Sequence, residues 1–391
     1  MFRNIIIKTV YYLFPSIFKT LSFFITIPII TFYFNPEELG LYYFIMSILL
    51  VATPLSHIGI EWVLQSNFYK LKKNELKIFL FNAAILDLIL RIFWSSIIYL
   101  IFITYGHFLV SQYSEEYNLY LLIILISFCT NFLWTSLSQS LILKKKAKIF
   151  SIIECLRIST YLIILLVLLF IFKLGFVSLF LVHLITNFLI IFLEFFYLKK
   201  DIILKINFKR LKEIIIFGYP LTFTSLSSMG LGFFDKFIIQ KYFGFYNTGI
   251  YGHSQSYSNL FSQILKAYLR VITPVVTKDS TDRHYENLNK INITTNLLNK
   301  VALFFGLFII FYCEYFISFL TFGKFSESSS LVAVWYSLVF IGLISNTIMT
   351  ILIVKKYSKF LMHTQIYLTF LVIFCIFYFI NHLSILSIVY I

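Results

Sequence analysis

The feature that most limits how this chain can fold is a succession of long apolar runs separated by short, lysine-rich breaks. The runs fall at 10–34, 38–62, 78–104, 119–142, 150–172, 175–198, 214–242, 247–276, 293–320, 329–353 and 361–381. Each is as long as the ~20 residues that carry a helix across a hydrocarbon core. A bilayer interior offers the backbone no water, so such runs must satisfy their own hydrogen bonds as helices. Composition points the same way. Apolar residues make up 60 % of the 391-residue chain and charged residues 13 %, against roughly 45–50 % and 25 % in soluble domains. Mean hydropathy is +0.90. So few charges could not cover a soluble surface, which excludes a DNA-binding domain, a secreted disulfide scaffold and a soluble enzyme on a membrane anchor. The predicted fold is an all-α polytopic membrane protein with about 11–12 transmembrane helices in two pseudo-symmetric lobes around a central cavity. Asn381–Ile391 is too short to cross again, and is either a clipped twelfth span or an interfacial tail.

The net charge of +15 belongs to loops rather than to a nucleic-acid footprint. With the N-terminus in the cytoplasm, the inside segments hold 22 of the 32 Lys and Arg residues, in clusters such as Lys70, Lys72, Lys73 and Lys77, or Lys144, Lys145, Lys146 and Lys148. The outside loops hold Lys173, Lys241 and Lys324. This bias sets orientation. No small-x-small cleavage site follows the first apolar run, so it is expected to be a retained helix. The four cysteines lie singly inside apolar runs and act as small hydrophobes.

The basic stretch 199–213 divides six spans from five. The expected organisation is an N-terminal lobe at 1–198, a linker at 199–213 lying amphipathically on the inner membrane surface, and a C-terminal lobe at 214–391. A repeat supports the division. Phe34…Gly40-Leu41-Tyr42 follows the first span, and Phe243…Gly249-Ile250-Tyr251 follows the seventh. Both read F-x5-G-[LI]-Y, and both follow an in-to-out span, so the repeat is parallel.

Charges within a membrane are costly and mark cavities or partners. Glu154, Arg157, Glu194, Arg270, Lys300 and Glu314 lie close enough to helix ends to snorkel. Lys19, Asp87, Arg91, Asp235 and Lys236 lie deeper. Asp87 and Arg91, one turn apart, are either a self-satisfied pair or a functional one. In the eighth span Gln255, Asn259, Ser262, Gln263, Lys266 and Arg270 recur at spacings of three and four, within an arc of about 100°. Thr222, Ser225, Gly232 and Lys236 share a face of the seventh span; Ser127, Asn131, Thr135 and Ser138 of the fourth; Lys19, Ser22 and Thr26 of the first. Polar stripes in both lobes predict a wet cavity whose positive lean suits a phosphate or pyrophosphate. No P-loop, HExxH, DxD or serine-elbow motif is present, so no ATPase, metal site, cofactor or catalytic residue is expected.

Tyr12-Leu-Phe-Pro15, leading to Asn35-Pro-Glu-Glu-Leu-Gly40-Leu-Tyr42, resembles the first spans of Wzx-type polysaccharide repeat-unit flippases. These belong to the multidrug/oligosaccharidyl-lipid/polysaccharide exporter superfamily. Phe217-Gly-Tyr-Pro220, Phe234-Asp235-Lys236-Phe-Ile-Ile and Gly249-Ile-Tyr251 resemble their seventh and eighth spans. The resemblance implies a non-enzymatic flippase of the bacterial inner membrane. It would move undecaprenyl-pyrophosphate-linked oligosaccharides among membrane lipids, beside a polysaccharide polymerase and chain-length proteins, for O-antigen or capsule synthesis. On that reading Lys19, Arg91 and Lys236, with Asn259, Gln263 and Lys266, bind substrate in the cavity, while Asp87 and Asp235 hold the cations when substrate is absent. A polymerase or a drug or solute exporter of the same superfamily are the alternatives. A polymerase would want a sizeable catalytic outside loop, and 106–118 contains no Lys or Arg.

Overall fold

A computed structural model describes residues 2–110, 113–282, 311–336 and 357–379. Side chains at 2–9, 261, 263–269, 271–282, 358 and 376–379 fall outside that description. The described residues are helical, with no strand among them. The helices are α1 (Phe2–Tyr33), α2 (Pro36–His57), α3 (Ile60–Asn67), α4 (Lys73–Leu109), α5 (Glu116–Thr130), α6 (Phe132–Leu143), α7 (Ala147–Leu166), α8 (Ser178–Leu198), α9 (Phe208–Asp282), α10 (Phe311–Leu320), α11 (328–336) and α12 (Ser358–Phe379). Among the described residues, seven stretches are long and apolar enough to cross a membrane. The seventh, Phe208–Leu260, has 53 residues, about 80 Å at 1.5 Å per residue, enough to cross twice. It turns back at Gly244, whose φ of 80° and ψ of 178° only glycine adopts without strain. The fold is therefore all-α and polytopic, as expected. The tail Asn381–Ile391 and most of the span predicted at 293–320 lie outside the described residues.

Several predicted spans are broken helices. The second kinks between α2 and α3 at Ile58 and Gly59, both at positive φ. The fourth breaks at Asn131, between α5 and α6. The fifth ends in a π-helical turn, Val167–Ile171, ahead of Lys173 and Gly175 at positive φ. Two expected loops are corrected. Helix α4 runs on to Leu109, so the outside loop expected at 105–118 is mostly helix at its start. In the linker, residues 202–207 are neither helix nor strand, and α9 begins at Phe208, ahead of the span expected from 214. Backbone groups explain its path. Ile203 N donates to Lys77 O at 3.3 Å, Asn82 Nδ2 donates to Lys205 O at 2.9 Å, and Asn207 N donates to Asn82 Oδ1 at 2.9 Å. Buried Asn82 thus ties the linker to α4. Lys77 Nζ donates to Lys200 O at 2.8 Å, and Lys144 pairs with Asp201 at 2.7 Å. Three lysine-rich segments thereby gather at one end of the bundle, termed here the lysine end. The α1–α2 turn lies at the other, the turn end.

The two copies of the repeat meet at the turn end. In the first, Pro36 occupies the first turn of α2, and Asn35 N donates to Glu38 Oε2 at 2.9 Å. Gly244 holds the place of Asn35 in the second copy. The repeat glycines then cross face to face. A Cβ on Gly40 would stand 1.9 Å from Phe245 O, and one on Gly249 would stand 2.0 Å from Pro36 O. Only hydrogen fits at either position. The reciprocity places a pseudo-two-fold relation between the copies here. Phe44 packs edge-on to Phe245 at 6.3 Å, and Tyr43 lies over Gly252. Among the described residues, the contact of α2 with α9 is the most extensive between helices. The apolar core around it includes Phe34, Leu39, Ile45, Ile239 and Tyr251. Many large apolar side chains point outward instead, such as Phe108, Phe208 and Phe319, as lipid rather than water demands.

Candidate functional site

A cavity of about 520 Å³ opens between α1, α2, α5, α7, α8 and the second limb of α9. It falls within the roughly 300–1,000 Å³ of small-ligand sites. The sequence spacing explains its walls. On α1, Lys19, Ser22, Phe23, Thr26, Ile27 and Ile30 recur so that each lies three or four residues from another, and they form one face. On α5, Ser127, Phe128 and Asn131 do the same, as do Glu154, Arg157, Ile158 and Tyr161 on α7. From α8 come His183, Thr186 and Asn187, and from α9 His253 and Ser256.

Charge is concentrated toward the lysine end. Lys19 is solvent-accessible within the cavity and lies in the field of Glu154, Arg157 and Arg270. The Arg157 guanidinium pairs with Glu194, donates to Asn131 Oδ1 at 3.1 Å and lies 4.4 Å from the Trp134 ring. Glu194 is buried and bound, so Arg157 is fixed in orientation. Asn187 Nδ2 donates to Ser127 Oγ at 3.0 Å and to its carbonyl. The snorkelling expected of Glu154, Arg157 and Glu194 is corrected: two line the cavity and the third anchors one of them. Arg270 also turns inward, 4.7 Å from the Phe150 ring.

The structure does not bring the predicted cations together. Lys19 lines the described cavity; Arg91 and Lys236 do not. Arg91 is 1 % exposed, pairs with Asp87 at 3.2 Å and donates to Phe128 O. His57 completes the cluster. Its Nδ1 lies 2.8 Å from Asp87 Oδ1, and its Nε2 lies 3.2 Å from Arg91 Nη2. One neutral tautomer, with Nδ1–H donating and Nε2 accepting, satisfies both contacts. Asp87, Arg91 and His57 therefore form a buried network that ties α4 to the end of α2 and to α5, with Asp87 Oδ2 and Arg91 Nε left without a hydrogen bond. Asp235 does not hold Lys236. It accepts from Tyr251 Oη at 3.1 Å, while Lys236 donates to Gln255 Oε1 and, at 3.3 Å, to Gly232 O. Adjacent residues on a helix point about 100° apart, so each found its own partner. Asn259 is exposed and outside the described cavity. The side chains of Gln263 and Lys266 lie outside the described residues.

The stripe Ser127, Asn131, Thr135 and Ser138 serves two purposes, because the helix breaks at Asn131. Its first half lines the cavity, and Thr135 Oγ1 lies 3.5 Å from Arg91 Nη2. Sequence reasoning missed α8. His183, Asn187 and Glu194 fall within about 40° on its surface, a signal hidden by the strongly apolar run around it. It also missed Tyr42, Tyr43 and Tyr161, which look like ordinary membrane aromatics. Among the described residues, no three His, Cys, Asp or Glu side chains stand close enough to hold a metal ion.

Broken apolar helices around a cavity whose largely apolar wall carries a few polar and charged side chains form a multi-pass membrane transporter fold. Comparison with solved structures agrees. A MOP superfamily transporter from Pyrococcus furiosus superposes with a TM-score of 0.78 at 14 % identity, over 99 % of this chain and 90 % of that one. That protein is described as having a binding pocket of reversed polarity that suggests a different function. A Vibrio cholerae MATE transporter gives 0.75 at 14 %, over 99 % and 91 %, and a MATE transporter in complex with MaL6 gives 0.75 at 13 %, over 99 % and 91 %. No curated protein sequence matches significantly. A family model described as "Polysaccharide biosynthesis protein" matches residues 33–330. The chain belongs to that polysaccharide biosynthesis family.

Proposed function

We propose that this chain is a flippase of the Wzx type. It translocates undecaprenyl-pyrophosphate-linked oligosaccharide repeat units across the bacterial inner membrane by alternating access, for O-antigen or capsular polysaccharide synthesis. The observation that carries the reading is the cavity itself, in a member of a polysaccharide biosynthesis family. Lys19, midway along α1, is accessible within a protein-walled cavity, and Arg157 lines the same cavity, paired with Glu194. These two cations suit a pyrophosphate, and the hydroxyl and amide groups of Ser22, Thr26, Asn131 and Asn187 suit a hydrated sugar chain. The lysine end is cytoplasmic, as is the N-terminus. Lys19, not Arg91 or Lys236, is the primary ligand, and Arg157 joins it. Asp87 serves structure rather than switching. A polymerase and chain-length proteins act after the repeat unit is delivered.

The test is to delete the gene and fractionate lipid-linked intermediates by membrane side. A lost flippase traps single repeats on the cytoplasmic leaflet. Single repeats accumulating on the outer leaflet would show a polymerase instead, and normal polysaccharide would show a solute exporter.

A further inference from the structure

The cavity changes character along its length, and four helices change together. On α7, running from the lysine end, Glu154 and Arg157 precede Tyr161 by one turn or more. On α8, running the other way, His183 comes first, then Asn187, then Glu194. On α1, Lys19 precedes Ser22 and Thr26. On α2, Tyr42 and Tyr43 stand near the turn end. Toward the lysine end lie the charges; toward the turn end lie three tyrosines and two histidines with no charged side chain beside them in the lining. These groups are already oriented. Tyr42 Oη lies 2.9 Å from His183 Nε2, and Tyr43 Oη lies 3.4 Å from His253 Nδ1. Tyr161 and His183 rings stand 5.2 Å apart. Thr186 Oγ1 and His253 Nε2, on two of the lining residues, are buried without a hydrogen-bond partner.

We propose that this turn end is a glycan subsite, in which Tyr42, Tyr43 and Tyr161, with His183 and His253, hold one or two sugar rings of the repeat unit. The inference rests on the flippase reading and extends it: the ligand lies along the cavity with its pyrophosphate at Lys19 and its sugars toward the turn end, so the sugar leads. The chemistry is selective. A sugar ring presents C–H faces to aromatic rings and hydroxyls at its edge, and tyrosine and histidine groups both donate and accept. A charged peptide would find no counter-ion there.

The experiment uses the full chain in nanodiscs and two probes. One is undecaprenyl pyrophosphate alone. The other is the lipid-linked oligosaccharide extracted from cells lacking the chain. The native protein should bind the glycan-bearing lipid about tenfold more tightly, the contribution of roughly one good aromatic contact with its hydrogen bonds. Tyr161→Leu should remove that difference and leave binding of the bare anchor unchanged, while Tyr161→Phe, which keeps the ring, should retain most of it. Equal binding of both probes by the native chain would overturn the glycan subsite and leave the flippase reading standing. Binding of neither probe would overturn both. A parallel loss for both probes in a folded Tyr161→Leu protein would also overturn the subsite, by showing a general effect on the cavity.

Discussion

Gly40→Ala adds one methyl group where the structure leaves no room for it. Its Cβ would lie 1.9 Å from Phe245 O, a backbone atom that cannot rotate away. The crossing of α2 and α9 must open by at least about 1 Å to bring that contact to tolerable distance, and overpacking of this kind costs typically 1–3 kcal/mol. The crossing closes the two lobes at the turn end. In a transporter that opens there during its cycle, the cost falls on the closed state alone, so the balance shifts toward the open form by about 5- to 150-fold. Gly249→Ala strains the same crossing from the other side, against Pro36 O at 2.0 Å. Once one variant has opened it, the second should add little, and the double variant should fall well short of the sum. Spin labels at Glu37 and Lys241, both exposed, report the separation by electron–electron double resonance. The native protein should show one short distance, and Gly40→Ala a longer or broader distribution. An unchanged distribution together with an unchanged melting temperature would refute the close crossing. Strict additivity of the two variants would refute its reciprocity.

Arg91→Ala leaves Asp87 fully buried beside His57 alone and should cost about 3–5 kcal/mol, read as a drop in thermal unfolding temperature in detergent. Removing Asp87 and Arg91 together should recover much of that loss, and a stable single variant would contradict the network. Burial holds the Lys144 ammonium below the usual lysine value of 10.5, and Asp201 at 2.7 Å only partly offsets this. The unfolded chain therefore holds more protons between the lowered value and 10.5, so stability should rise with pH across that window, and Lys144→Gln should flatten the rise. In a cysteine-free background, Ser114→Cys should react with an impermeant thiol reagent added outside intact inner-membrane vesicles of native orientation, and Lys205→Cys should not.

The spans were legible because a bilayer leaves apolar helices as the only solution, and the lysine clusters marked the end where loops gather. The repeat at Gly40 and Gly249 was visible as a pattern, but that its copies touch one another was not. Contact across 209 residues is a property of packing, and glycine at a crossing has the same letter as glycine in a turn. Reasoning by depth picked out Lys19, Arg91 and Lys236 alike, and of the three only Lys19 lines the described cavity. Depth says that a charge needs a partner; it does not say whether the partner is a ligand, a neighbouring histidine or a glutamine one helix away. Arg157 was misjudged for the converse reason. Its distance from the helix end permits snorkelling, and only the position of Glu194 on another helix decides against it. The aromatic end of the cavity was hidden by composition, since 27 tyrosines and 48 phenylalanines make any three of them unremarked in one dimension.

The most direct measurement is translocation itself. The purified chain is reconstituted into liposomes carrying the lipid-linked oligosaccharide in both leaflets, and the share of glycan open to an added glycosidase is followed with time. The account predicts that the native chain renders the inner-leaflet glycan accessible, that Lys19→Ala abolishes this while the protein remains folded, and that Lys19→Arg retains part of it. Translocation by Lys19→Ala at the native rate, or none by the native chain while a fluorescent small solute is exported, would contradict it.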